Sequence, residues 1–228
     1  MNRNLSVLID SSTERGIVAI IDDIRILQEI ELPFGYESSR ALVPSLDTLF
    51  KNANISPKQL TYITAGIGPG SYTGIRMGAI VAKTLSYTTQ KPLIGITSLA
   101  GFIPDQDVRF CAIIDAKISG AYILKGIKEN GGVRWISQPQ VCPLNELGEK
   151  LNDTEVLVTP NAKILQVKVQ ELYPNANWKW EERAPSAFHL SLLARKQYID
   201  GQYTTDCRLD LLYLRQTQAE IEKNKKHS

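Results

Sequence analysis

The sequence predicts a mixed α/β fold built as two similar halves, and three observations carry that prediction. The first hundred residues open with three apolar stretches separated by polar turns, then alternate between helical and strand periodicity. A second group of strands begins near residue 110. Between them, residues 101–107 break the pattern with Gly101, Pro104 and polar side chains. That places a boundary there, with residues 1–102 in one half and 103–228 in a smaller, divergent one.

The elements follow in order. Leu5 to Ile9 reads as a buried strand, and Gly16 to Ile21 as a second after the polar turn Asp10 to Arg15. Ile24 to Leu32 alternates apolar and polar residues, a third strand with one wet face, ended by Pro33 and Gly35. From Ser38 to Ala53 the period becomes helical, with Leu42, Leu46, Leu49, Phe50 and Ala53 on one face and Val43 beside it. Ser56-Pro57 starts a short helical turn. Thr61 to Ala65 is a strand that runs into a glycine-rich loop, Gly66 to Gly74. A second helix covers about Thr73 to Thr89, and Leu93 to Ile96 closes the first half as a strand. Antiparallel strands joined to crossover units argue for a mixed layered fold. In the second half, Phe110 to Ile114 and Ala121 to Ile127 are strands, and Gly131-Gly132 turns into a strand over Val133 to Val141. Helices are predicted over Leu144 to Leu151, Ala162 to Glu171 and Ser186 to Ile199, and the charged tail after Arg215 is expected to fray.

Composition narrows the function classes. The chain has 228 residues, 43% of them hydrophobic and 22% charged, an ordinary globular balance. A formal net charge of +2 is too small for a surface that coats nucleic acid, so contact with RNA would need a local patch or a partner. Cys111, Cys142 and Cys207 are far apart and odd in number, which fits reduced, mostly buried thiols. The apolar run that follows Met1-Asn2-Arg3-Asn4 ends at Asp10, too short for a signal peptide or a membrane span. The expected location is the cytoplasm.

The glycine loop lies between a strand and a helix N-terminus, a setting that favours anions. Yet counting from Gly66, Gly68 or Gly70 finds no Gly-Lys-Ser/Thr, and G-x-G-x-x-G fails at Ser71. A tight turn and close packing therefore explain the glycines better than a phosphate. Gly74, Gly78 and Ala82 recur four apart and leave one helix face nearly flat for a close neighbour. Other chemistry is equally thin. His189 and His227 are the two histidines and are too far apart for a helical metal-binding pair. The adjacent acids Asp22-Asp23 and Glu181-Glu182 point apart as solvated edges, and no G-x-S-x-G elbow accompanies Gly70-Ser71. Cys111 sits in an apolar strand context that favours burial.

Read in order, Gly66-Ile67-Gly68-Pro69-Gly70-Ser71-Tyr72-Thr73-Gly74-Ile75-Arg76-Met77-Gly78, with Ala82-Lys83 beyond, closely resembles the signature of the TsaB (YeaZ) family. Asp10-Ser11-Ser12-Thr13 is similar to its opening turn, Ser39-Arg40-Ala41-Leu42-Val43-Pro44 to its first helix, and Pro92 to Leu99 to the strand that closes its first half. Asp115-Ala116-Lys117, Tyr122 and Tyr213-Leu214-Arg215 are weaker matches. The resemblance is dense over residues 5–100 and thin afterwards. Ser38 replaces a frequent His, Lys117 an Arg and Leu211 a Pro.

The resemblance implies two ribonuclease-H-like halves of the actin/Hsp70/sugar-kinase superfold. It further implies a non-catalytic partner of TsaD, the subunit that performs transfer chemistry in threonylcarbamoyladenosine (t6A) modification of the tRNA adenosine next to the anticodon. The ATPase TsaE joins that pair, tRNA is reached through the complex, and a homodimer forms when the chain is alone. The family pairs through two helices, here about 38–54 and 73–89. This assigns Arg40, Leu42, Val43, Leu46, Gly74, Met77, Gly78 and Val81 to the partner surface, although Leu42 and Leu46 fit coverage of their own sheet equally well. Asp10, Ser12 and Thr13 would line a vestigial nucleotide cleft, with Ser12 where the superfold prefers glycine. No cofactor, metal or membrane is expected. The alternatives are a nucleotide-dependent kinase or carbamoyl transferase on the same superfold, and a metalloprotease, which the missing histidine pair opposes.

Overall fold

The computed structural model describes residues 3–35 and 37–214. Strands β1 (Leu5–Asp10), β2 (Ile17–Asp22) and β3 (Arg25–Glu31) form an antiparallel meander. Helix α1 (Glu37–Ala53) leads through a 3-10 turn to β4 (Tyr62–Gly66), then α2 (Tyr72–Thr89) and β5 (Leu93–Ile96). β4 and β5 are parallel to β1, giving the order β3-β2-β1-β4-β5.

The second half repeats the plan. β6 (Arg109–Asp115), β7 (Ala121–Glu129) and β8 (Gly132–Trp135) run antiparallel, and β9 (Gln140–Cys142) also pairs with β7. The short helix α3 (Leu147–Lys150) precedes β10 (Val156–Thr159), α4 (Ala162–Leu172), β11 (Lys179–Glu182) and α5 (Ala187–Ile199). With β10 and β11 parallel to β6, the order is β11-β10-β6-β7-β8. Both sheets thus carry the same central strand, the same antiparallel pair on one side and the same parallel pair on the other. This is the ribonuclease-H-like arrangement, twice.

Strand patterning explains the layering. In β1, Leu5, Val7 and Ile9 face one core with Leu42, Leu46 and Leu49 of α1. Leu8 faces a second core, which also holds Phe110, Ala112 and Ile114 of β6. Cys111 and Ile113 point the other way, onto Leu147, Leu165 and Val169. Central strands buried on both faces need near-continuous apolar runs, as Leu5–Ile9 and Phe110–Ile114 supply. The middle core, between the sheets, also holds Leu99, Phe102, Ala187 and Leu190. Helix α5, last in sequence, thereby contacts β5, β2 and β3 of the first sheet.

Caps fix the helix starts. Ser71 accepts from Gly74 N, Asn161 from Lys163 N and Ser186 from His189 N. Gln90, in the left-handed region at φ 55°, ends α2 before Pro92.

Three expectations need correction. The β7–β8 hairpin turns at Asn130-Gly131, both with positive φ, and Gly132 already belongs to β8. The strand expected over 133–141 is two strands, separated by Ser137 and Pro139, because proline cannot donate to a ladder. The helix expected over 144–151 is a 3-10 turn followed by α3. Strands β10 and β11 were not named from sequence. The expected fraying after Arg215 and His227 lie outside the described residues.

Candidate functional site

The turn after β1, which the resemblance assigns to a vestigial nucleotide cleft, is filled from within. Asp10, Ser12 and Thr13 are all buried. The Ser12 amide donates to Asp10 Oδ1 (2.9 Å), and the Ser71 amide donates to Ser12 O (2.6 Å). Ser98 Oγ donates to Ser12 Oγ at 2.8 Å. The Ser12 and Ser71 amides are therefore spent on the chain itself.

The glycine loop does the filling. A Cβ on Gly70 would lie 2.0 Å from Ser12 O, and one on Gly66 2.2 Å from the Asp10 carboxyl carbon. Only glycine allows the loop to lie this close. Burial raises the Asp10 pKa, against hydrogen bonds from Ser12 and Ser98 that lower it, and Oδ2 has no partner. No cation approaches it: among the described residues, Asp10 takes part in no ion pair.

The cleft between the halves is nearly closed. Arg15 donates through Nε to Pro160 O (3.0 Å), and its terminal nitrogens pair with Glu31 and Glu182, each at 2.9 Å. Glu182 also accepts from Ala162 N at the start of α4 (3.0 Å), and this amide and then Arg15 hold its pKa below the usual carboxylate range. What remains is a cavity of about 10 Å³ bounded by Glu14, Asp115, Lys117, Thr159, Asn161 and Ile164. That is room for about one water. A larger open groove of about 580 Å³ lies elsewhere, between β3 and the start of α5, far from the phosphate turn in sequence and lined by Ile26, Gln28, Glu29, Ser186 and Phe188.

Other sequence candidates disperse. His189 is half-buried on α5 with Nδ1 2.9 Å from Ser186 Oγ, and burial lowers its pKa. Among the described residues no group of three or more His, Cys, Asp or Glu side chains comes together. Glu181 and Glu182 point apart as expected, but neither is a free solvated edge: Glu181 pairs with Lys179 and Arg183. Cys111 and Cys142 are buried and Cys207 half-buried, all as free thiols, with burial pushing the Cys111 thiol up to about 12. No helix among the described residues is long and apolar enough to cross a membrane.

The eight residues assigned to a partner surface divide sharply. Leu42 and Leu46 are in the core, where each buried leucine contributes about 1.5–3 kcal/mol. Gly74 and Gly78 are also internal, since a Cβ on Gly74 would lie 2.0 Å from Ser11 O and one on Gly78 2.9 Å from Ser11 Oγ. The flat helix face therefore meets the β1 turn, not an outside helix. Met77 and Val81 are partly buried against the α1 side of the core. Arg40 and Val43 are exposed, Arg40 with Glu37 3.5 Å away.

The outward side of α2 carries residues that the sequence reading did not select: Tyr72, Arg76, Ile80 and Tyr87. Their spacing of four, four and seven keeps them on one stripe, and that spacing was the available signal. Ile80 is 58% exposed and Tyr87 69%, so with Val43 they are apolar surface exposed among the described residues.

Comparison with known proteins agrees with this architecture. Residues 36–150 match the family model described as TsaD, tRNA N6-adenosine threonylcarbamoyltransferase. The tRNA threonylcarbamoyladenosine biosynthesis protein TsaB of Haemophilus influenzae is 28% identical over 229 residues, covering 93% of this chain and 94% of that one. The Bacillus subtilis protein of the same name is 34% identical over 84 residues, 37% of this chain and 36% of its own length. The structure of YeaZ from Pseudomonas aeruginosa superposes with a TM-score of 0.79 at 21% identity, over 92% of this chain and 100% of that one, and so shares the fold. With the doubled sheet plan, the filled phosphate turn and a family match over half its length, the chain belongs to the TsaB (YeaZ) family.

Proposed function

We propose that this protein is the non-catalytic partner subunit of TsaD in t6A modification of tRNA. The observation that carries the non-catalytic part is the turn after β1, whose Ser12 amide is taken by Asp10 and whose space is taken by the chain's own Gly66–Gly74 loop. A nucleotide-dependent kinase or carbamoyl transferase needs those groups free. Pairing with TsaD is supported by the outward stripe of α1 and α2, and the surface is reassigned to Arg40, Val43, Tyr72, Arg76, Ile80 and Tyr87, with Met77 and Val81 at its inner margin. TsaE and tRNA join through the assembled pair, in the cytoplasm, and the same stripe supports self-association when TsaD is absent.

The test is reconstitution with TsaD and tRNA. Modification should require TsaD, and this chain alone should transfer no threonylcarbamoyl. The double change Val43→Asp/Ile80→Asp buries two carboxylates in the interface and should abolish co-elution with TsaD, while the variant's own unfolding midpoint stays near wild type because both sites are exposed. Modification by the chain without TsaD, or full pairing by the double variant, would refute the reading.

A further inference from the structure

We propose that the C-terminal strap, residues 203–214, is part of the pairing face, where Tyr213 and Tyr72 together hold the Arg76 guanidinium for a carboxylate of TsaD. The inference rests on the pairing reading above and adds a segment distant in sequence from either helix.

The strap is fastened across the first sheet. Thr204 and Leu93 exchange backbone hydrogen bonds of 2.9 and 3.0 Å, so the strap pairs with the outer edge of β5. Leu209 packs against the core that contains Leu93. The Leu212 amide then donates to Ile67 O (2.9 Å), in the glycine loop. That last bond sets Tyr213 over the start of α2.

At that point three side chains lock together. The Tyr72 and Tyr213 rings lie 5.1 Å apart, Arg76 Nε donates to Tyr213 OH (3.2 Å), and a terminal nitrogen of Arg76 donates to Tyr72 OH. The Arg76 guanidinium sits 3.8 Å from the Tyr72 ring centroid. Both tyrosines remain 42% exposed, so the cluster faces outward rather than sealing a core.

Charge identifies what the cluster awaits. Counting only the described residues, Arg76 and Arg25 are the arginines with no carboxylate within ion-pair distance. Arg25 makes no comparable aromatic contact. Arg76 is held flat by two hydroxyls that use part of its donor fork and leave the other N–H groups free for a planar acceptor, which a carboxylate matches. Preorganisation lowers the ordering cost of binding, and tyrosine with arginine is the composition of interface anchors. Arg76 lies four residues before Ile80 on the same stripe, so an occupant of that stripe meets the cluster.

The full chain should be titrated against purified TsaD from the same organism by calorimetry, at low and high salt. Tyr213→Ala and Arg76→Gln should each weaken the complex about tenfold or more, and Tyr213→Phe, which keeps the ring, should fall between. Wild-type affinity should drop with salt, and Arg76→Gln should lose part of that dependence, which a merely structural role would leave unchanged. Thermal unfolding of each variant separates lost contacts from lost fold. If wild type binds while Tyr213→Ala and Arg76→Gln bind within about twofold of it, the inference is wrong and the pairing reading stands. If Arg76→Gln weakens binding but Tyr213→Ala does not, the strap has no part in the face. If wild type does not bind TsaD at all, the pairing reading fails and takes this inference with it.

Discussion

Gly74→Ala sets two opposing effects against each other. Inside a helix, alanine is favoured over glycine by about 1 kcal/mol, so the change should stabilise a helix whose face is open. Here the new methyl would sit 2.0 Å from Ser11 O and 3.1 Å from Ser11 C, both backbone atoms that cannot rotate aside. Relief requires α2 and the β1 turn to separate by more than an ångström, which also stretches the 2.8 Å bond from Ser11 Oγ to Gly74 O. Overpacking of this kind costs about 1–3 kcal/mol, and a buried hydrogen bond left unmade about 1–3 more. After the helix gain is subtracted, the net loss is about 1–5 kcal/mol, a fall in midpoint of roughly 2–20 °C for a chain of this size. Thermal unfolding followed by circular dichroism measures it. Gly132→Ala is the control, because its Cβ would meet its nearest neighbour at an ordinary 3.6 Å and its φ is not positive. A Gly74→Ala variant as stable as wild type would mean that the small-residue face is free, and that the outside-helix reading was right.

Two further outcomes follow from the buried and bridging charges. The raised pKa of Asp10 means that its contribution is fully present below the unfolded value near 3.8 and is lost as pH rises through the folded value. Across that window wild type should lose about 1.4 kcal/mol of stability per pH unit relative to Asp10→Asn, whose amide does not ionise; urea unfolding of both chains over the window checks this, and parallel pH profiles would refute it. Arg15→Met removes the fork that joins Glu31, Pro160 and Glu182, and should cost about 1–2 kcal/mol, less in high salt. An effect independent of salt would assign Arg15 a packing role through its contact with the Phe34 ring.

What could be read from the sequence follows from how much each element is fixed locally. β1 and β6 are apolar throughout because both faces are buried, and α1 shows its period because one face is. β10 and β11 have four residues each, and Lys179–Glu182 is charged at three of them, so neither announces a strand. Its place is set by pairing with β10 and by Arg15, which arrives from elsewhere in the chain to pair with Glu182. The glycine face of α2 shows the same limit more sharply. Gly74, Gly78 and Ala82 license close approach by anything, and the repeat is identical whether that is a partner or the chain itself. What decides is Ser11, sixty-three residues away in sequence, whose hydroxyl and carbonyl meet the helix at that face.

The doubled topology puts one aspartate at the same point of each half, in two different settings. Asp10 and Asp115 occupy the same place, the end of the central strand in each sheet. In the first half the carboxyl is buried beneath glycines, with one oxygen unpartnered and no cation in reach. In the second half it stays at the cleft and is occupied by the Lys117 amide at 2.8 Å and by the amines of Lys117 and Lys168 at 3.3 and 3.5 Å. The two aspartates are thus held by opposite means, Asp10 by burial and Asp115 by neighbouring lysines. The Arg15 fork then holds the halves together across the gap. If the chain docks on TsaD as proposed, a lobe pair tied in this way presents a preformed face, which lowers the ordering cost of binding.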